Sequence, residues 1–359
     1  MKNKYSLFSL DTLMFFLISS ITSSSWYYIF ITENKIDTIF VIIIGSVIGI
    51  IPIFIYNQIM DFNKENNLID NLNSLFKTPI ILKIVLVLVS FIMMIIALQE
   101  IASFINIYLL KNSNTLIIGG IFLLLGIYTV SKGFNTIVKA SIICFYLFVF
   151  ISILSFVGTI NLVDLGNLKP LFISDEKSLI LNSVIYSFLS TAPLFMLSII
   201  RKKDIEKEKY LNSNFYKTYI SASIFATIEF IFTLGILGIS LLSIYKYPAI
   251  NIYKKISFLD IFERVESFFA VKFLFYSFFL IVVSLYFSFT ICKSFFPKKK
   301  KDNILLGIIF LVTVFISYFY KFNSNIYLIS FYILGIIIPT IVYLKMLLYN
   351  NKLLRTKIS

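Results

Sequence analysis

The chain has 359 residues, 59% of them hydrophobic and only 14% charged, with a mean hydropathy of +0.92 and a formal net charge of +14. Soluble domains carry nearer ~25% charged residues, so this composition excludes a water-soluble globular protein. Histidine is absent, which excludes His-centred metal sites, Ser-His-Asp triads and histidine proton relays. With no cluster of metal ligands and no nucleophile motif in their place, neither an enzymatic role nor a cofactor is expected.

In hydrocarbon every backbone N–H and C=O must be paired within the structure, which leaves helices or closed barrels as spanning elements. The apolar runs here are long and continuous rather than ~10-residue alternations, which selects helices. Ten runs follow in chain order: Leu10 to Ile31, Ile39 to Tyr56, Ile80 to Leu110, Thr115 to Val130, Ile137 to Ile160, Asn182 to Ile200, Tyr219 to Ser243, Phe268 to Phe295, Ile304 to Tyr320 and Ile326 to Tyr349. The first is read as a retained helix rather than a signal peptide, because Trp26 to Ile31 continues past the small residues Ser23 to Ser25. The third would be ~46 Å long as a helix, so it must tilt or project from the bilayer. Cys144 and Cys292 fall inside apolar runs and read as small buried hydrophobes. The fold class is therefore an all-α integral membrane protein, one domain over 1–359 with ten transmembrane helices.

Lys and Arg are distributed unevenly between alternate connections. With the N-terminus inside, more than twice as many fall on the cytoplasmic side, concentrated in Arg201 to Lys217 and Lys298 to Lys301. The positive-inside rule then places both termini in the cytoplasm of a multi-pass cell-membrane protein. Anionic lipid at that face accounts for the net charge, and no nucleic-acid partner is expected.

Ten spans divide into five plus five, so the second half (about 182–349) would run inverted with respect to the first (about 10–160). Such transporters bind their ligand where the first helix of each repeat is interrupted. Span one carries Thr22, Ser23 and Ser24 within a run of hydroxyl residues, and span six carries Ser190, Thr191, Ala192 and Pro193. Spans one and six are accordingly expected to be broken and to form a ligand cleft, with Glu100 or Ser103 of span three lining it. The competing reading is that these are small-residue faces for helix packing. Among ionisable groups at membrane depth, Glu229 near the middle of span seven is a coupling or structural charge, whereas Lys139 and Lys272, near span ends, are read as snorkelling to the interface.

The external segment between spans seven and eight holds Tyr247-Pro248 and then Glu263-Arg264-Val265-Glu266. With Asn167-Leu168-Lys169-Pro170 after span five, and Tyr128 and Gly133 followed by Lys139, these residues resemble the spore germination permease family, the B-type subunit of nutrient germinant receptors within the amino acid/polyamine/organocation transporter superfamily. The external-motif residues are Tyr247, Pro248, Glu263, Arg264 and Glu266. Serines stand where the family's first helix often carries glycine, and Ser190 to Pro193 replace its glycine and acidic pair. The resemblance implies a receptor subunit that binds a small nutrient such as an amino acid and signals germination. It implies A-type membrane and C-type lipoprotein partner subunits and, in a spore-former, the spore inner membrane. The alternative is a proton- or sodium-coupled amino acid transporter using Glu229 or Glu100.

Overall fold

The computed structural model describes residues 4–22, 27–253, 265–295, 302–320 and 324–358. They form, in order, α1 (Leu7–Thr22), α2 (Tyr27–Asn34), α3 (Thr38–Ile48), α4 (Ile50–Asp61), α5 (Leu68–Leu75), α6 (Pro79–Tyr108), α7 (Thr115–Ser131), α8 (Phe134–Thr159), α9 (Glu176–Phe195), α10 (Leu211–Leu242), α11 (Pro248–Tyr253), α12 (Val265–Phe295), α13 (Asp302–Phe319), α14 (Ser324–Tyr332) and α15 (Ile338–Ile358). Among the described residues, seven helical stretches are long and apolar enough to cross a membrane, and three shorter apolar helices lie at Leu7–Ser20, Thr115–Ser131 and Ile304–Ser317. The protein is thus all-helical and membrane-spanning.

Local chemistry sets the helix ends. Asn67 and Asp70 form a reciprocal capping box at the start of α5, and the Asn114 side chain accepts from Leu116 N–H at the start of α7. Proline opens α6 and α11, where a missing N–H costs nothing. Between α7 and α8 the chain reverses through Lys132 and Gly133; Gly133 has φ +92°, a conformation that favours glycine. The stretch Ile29–Asp61 also turns back sharply at Lys35–Asp37: Thr38 Oγ1 donates to Phe30 O at 3.1 Å, whereas eight residues of straight helix would span ~12 Å.

Within the bundle α6 packs along α12, α3 along α9, and α1 against α8, α10 and α12. Gly49, between α3 and α4, has no room for a side chain, since a Cβ would lie 1.9 Å from the Tyr219 hydroxyl. Contacts between connections define two ends. At one, Tyr5 pairs with Ile205 in an isolated parallel bridge and the 62–67 turn meets 201–210 through Lys64–Glu208 and Lys203–Glu65. Lys202, 5% exposed, pairs there with Asp61. The opposite end holds 35–37, 160–175 and 243–253.

At that second end Asp37 is fully buried, and its carboxylate accepts backbone N–H groups from Phe172 (2.7 Å), Ile173 (2.6 Å) and Ser174 (2.7 Å). One side chain so ties the α2–α3 turn to the segment before α9. Burial pushes the Asp37 pKa up, but these hydrogen bonds outweigh it and hold the carboxyl below its usual range. Its stabilisation is therefore complete above the ordinary Asp value of ~3.9 and is lost as pH falls through the lower folded value. Asp37→Ala leaves three N–H groups without a charged acceptor, a cost on the order of 3 kcal/mol. Thermal unfolding in detergent should show a clearly lower Tm for Asp37→Ala at pH 7, with the gap to wild type narrowing at the acid end. An unchanged Tm would remove the clamp from the account.

Candidate functional site

The C-terminal half of α6 turns a polar face towards α7 and α13. Gln99, Glu100, Ser103 and Asn106 line a cavity of about 330 Å³ there, together with Thr115, Gly119 and Gly120 of α7, Val314 and Ser317 of α13, and Lys246 from the connection after α10. Ligand cavities commonly measure ~300–1,000 Å³, so this one suits a small molecule. Glu100 is 16% and Lys246 45% exposed, with Lys246 Nζ 3.9 Å from Glu100 Oε1. The lysine donates at 2.9 Å to Ser103 Oγ, and the Tyr247 hydroxyl donates at 2.8 Å to Glu100 Oε2. Tyr247 is itself 2% exposed, ringed by Phe104, Tyr108 and Phe273. Its pKa is raised, first by burial and then by the Glu100 carboxylate. Pro248 opens α11, whose Asn251 donates to Tyr108 Oη at 3.0 Å. Tyr247 and Pro248 thus hold the connection after α10 against the site.

The serine-rich helices are arranged differently. The interruption expected in span six is absent: α9 runs continuously from Glu176 to Phe195 and then tightens into a 3₁₀ turn at Met196–Ile199. Pro193 falls in the last turn of α9; its missing N–H withdraws the bond that Leu189 O would otherwise accept, and the helix ends two residues later at Phe195. Ser190, Thr191 and Ala192 are fully buried. The Ser190 and Thr191 hydroxyls bond back to Ser187 O at 3.0 and 2.8 Å, and Ser190 also meets the Tyr219 hydroxyl at 3.2 Å. Gly335 packs on this face so closely that a Cβ there would lie 3.0 Å from Ala192 Cβ. Thr22 is the last residue of α1, while Ser23 and Ser24 lie outside the described residues, so the break expected in span one falls there too. The structure brings Glu100 and Ser103 together at a cavity and places Ser190, Thr191 and Ala192 in a helix interface.

Two departures from regular helix do occur. In α10, Gly238 has φ +68° and ψ 165°, a conformation open to glycine; Gly235 O, four residues before Ile239, accepts instead from Asp164 N–H (3.0 Å) and Asn167 Nδ2 (2.8 Å). In the last span a π-turn at Ile333–Ile337 presents Gly335 O to the Tyr56 hydroxyl at 2.6 Å. Neither was visible as a break in the sequence, although Gly235 and Gly238 in an apolar run were a usable signal.

Residues 8–326 match the family model of spore permeases, described as spore germination protein. The chain belongs to the spore germination protein family. It is a multi-pass membrane protein of transporter-like type, and family membership points away from an enzyme; among the described residues no group of His, Cys, Asp or Glu could hold a metal ion. A search of curated proteins found no match.

In this spore permease, Asn167 of the Asn-Leu-Lys-Pro run caps the opened carbonyl of Gly235, and Tyr247 of the Tyr-Pro pair binds Glu100. Glu263 and Arg264 lie outside the described residues, and Glu266 is in the first turn of α12. Glu229 faces the interior, where Lys272 Nζ reaches its Oε1 at 2.8 Å; the two are 15% and 6% exposed. Lys272 does not snorkel: its ammonium lies over the Phe148 and Phe225 rings at 5.5 and 5.7 Å. Removing one member of such a pair leaves an uncompensated charge, typically ~3–5 kcal/mol, whereas removing both is far milder. Glu229→Leu and Lys272→Met should each cut the yield of monodisperse protein in detergent, and the double variant should recover most of it. A double variant as poor as the worse single one would contradict a structural pair.

Proposed function

We infer that this protein is the multi-spanning subunit of a spore germinant receptor, crossing the membrane ten times with both termini cytoplasmic. A small nutrient, an amino acid, enters the cavity at Glu100 and Ser103 from outside, and its occupancy is passed to an A-type membrane subunit and a C-type lipoprotein. The observation that carries this reading is the cavity itself: among the described residues it gathers a carboxylate, an ammonium, two side-chain amides and three hydroxyls beside otherwise apolar helices. It lies at the end of the bundle opposite Arg201 to Lys209, and the positive-inside rule makes that end external. Family membership supplies the receptor context. Signalling requires the ligand to favour one of two arrangements, because equal affinity for both shifts nothing. The Tyr247 contact with Glu100 gives the outer connection a direct stake in what occupies the cavity. Of the two carboxylates that proton- or sodium-coupled transport would use, Glu229 is engaged by Lys272 and Glu100 by Tyr247 and Lys246, and this favours sensing over transport.

Spores lacking other nutrient receptors, carrying this subunit with its partners, should lose most of their response to amino acids on Glu100→Gln. Lys300→Ala, in the basic run that the sequence assigns to the cytoplasmic side, should leave the response intact. A normal response from Glu100→Gln spores would refute this site. Sidedness is tested separately by an impermeant thiol reagent on a Cys144→Ser, Cys292→Ser background: Lys299→Cys should react only after the cells are opened, and labelling of intact cells would invert the topology.

A further inference from the structure

Resting on that reading, we propose that Glu100 and Lys246 form a charge-selective gate that a net-neutral zwitterion splits, with Glu100 taking its ammonium and Lys246 its carboxylate. Among the described residues Glu100 and Lys246 are the only charged ones lining the cavity, so their charges balance while the two poles are separate. Their separation of 3.9 Å exceeds the ~2.7–2.9 Å of a charge-assisted hydrogen bond, and the ammonium spends its short contact on Ser103 Oγ instead. The two poles also differ in mobility. Glu100 is on a long helix, mostly covered and held by the Tyr247 hydroxyl, whereas Lys246 is nearly half exposed on a four-carbon stem between α10 and α11. A pair held at 3.9 Å with one half-exposed member binds weakly, so the lysine can swing outward and let a ligand enter between the charges.

What enters is selected by charge. A zwitterion satisfies both poles and leaves the cavity neutral. A monocation at Glu100 would face the Lys246 ammonium, and a monoanion at Lys246 would face the Glu100 carboxylate; like charges a few ångströms apart in a partly desolvated site should cost at least ~10-fold in affinity. The same geometry links occupancy to the outer connection. Lys246 precedes Tyr247, and Tyr247 is bonded to the selecting carboxylate and wedged between Phe104 of α6 and Phe273 of α12. Splitting the pair therefore pulls on a segment already clamped between those two helices. If the pair served only to pin the connection, removing either charge would change stability but not ligand charge preference.

The test is calorimetric titration of the full chain in nanodiscs with three probes: L-alanine, ethylamine and propionate. Wild type should bind L-alanine at least ~10-fold tighter than the other two. Lys246→Met, which keeps the stem and leaves the cavity at −1, should lose most alanine affinity and favour ethylamine. Glu100→Gln, which leaves it at +1, should favour propionate; if that variant does not fold, Lys246→Glu supplies a second shift towards ethylamine. An alanine-to-ethylamine ratio unchanged in Lys246→Met would overturn the proposal. So would tight wild-type binding of an uncharged probe such as D-glucose, lost on Glu100→Gln, although the sensor reading would then stand. Binding of none of these probes, with normal germination of Glu100→Gln spores, would remove both.

Discussion

Hydrocarbon offers no hydrogen bonds, so each polar group carried into the membrane must find its partner inside the protein, and this one constraint orders most of the structure. Hydroxyls in the spans bond back to the preceding turn, as Ser20, Ser187, Ser190 and Thr191 do. Where a helix departs from regularity, a polar side chain from elsewhere supplies what is lost: Asn167 at Gly235 O, and Tyr56 at Gly335 O. Charges follow the same rule, Glu229 with Lys272 across two helices and Asp37 with three backbone N–H groups. Asn57 is an exception for which the structure gives no physical account: it is 2% exposed, and among the described residues neither of its side-chain polar atoms has a partner.

Against that background the C-terminal end of α6 stands apart, because its polar groups surround space. Glu100 and Ser103 engage Tyr247 and Lys246 from the connection after α10, not from a neighbouring span. That difference separates polar groups that hold helices together from polar groups that border a cavity. It also puts Glu100 and Ser103 next to a segment that joins two long helices, α10 and α12, so a change at the cavity has a short route into the bundle.

Much of the fold was legible because the bilayer imposes a simple code of length and apolarity. The long third span emerges as the 30-residue α6, and the depth of Glu229 pointed correctly to the interior. Serine and proline were harder to read. Pro193 lies midway along the apolar run Asn182 to Ile200, whereas the helix begins at Glu176 and ends at Phe195, which puts the proline in its last turn. A serine that bonds back to its own helix and one that awaits a ligand look alike in sequence. Lys272 misled for a related reason: distance from a span end says nothing about which face of the helix a side chain occupies, and here two phenylalanine rings and a carboxylate draw it inward. Asp37 left little trace, since its partners are backbone groups more than 130 residues away.

The account rests on the cavity beside α6, and not the α9 hydroxyl face, being where a ligand binds. Thiol accessibility distinguishes them most directly, using Ser103→Cys and Thr191→Cys on a background without Cys144 and Cys292, with an impermeant reagent applied outside and L-alanine as the protecting solute. The structure predicts that Ser103→Cys reacts and that L-alanine slows the reaction, while Thr191→Cys, fully buried in the wild-type packing, does not react. Reaction at Thr191→Cys that L-alanine blocks, with Ser103→Cys indifferent to it, would contradict the account.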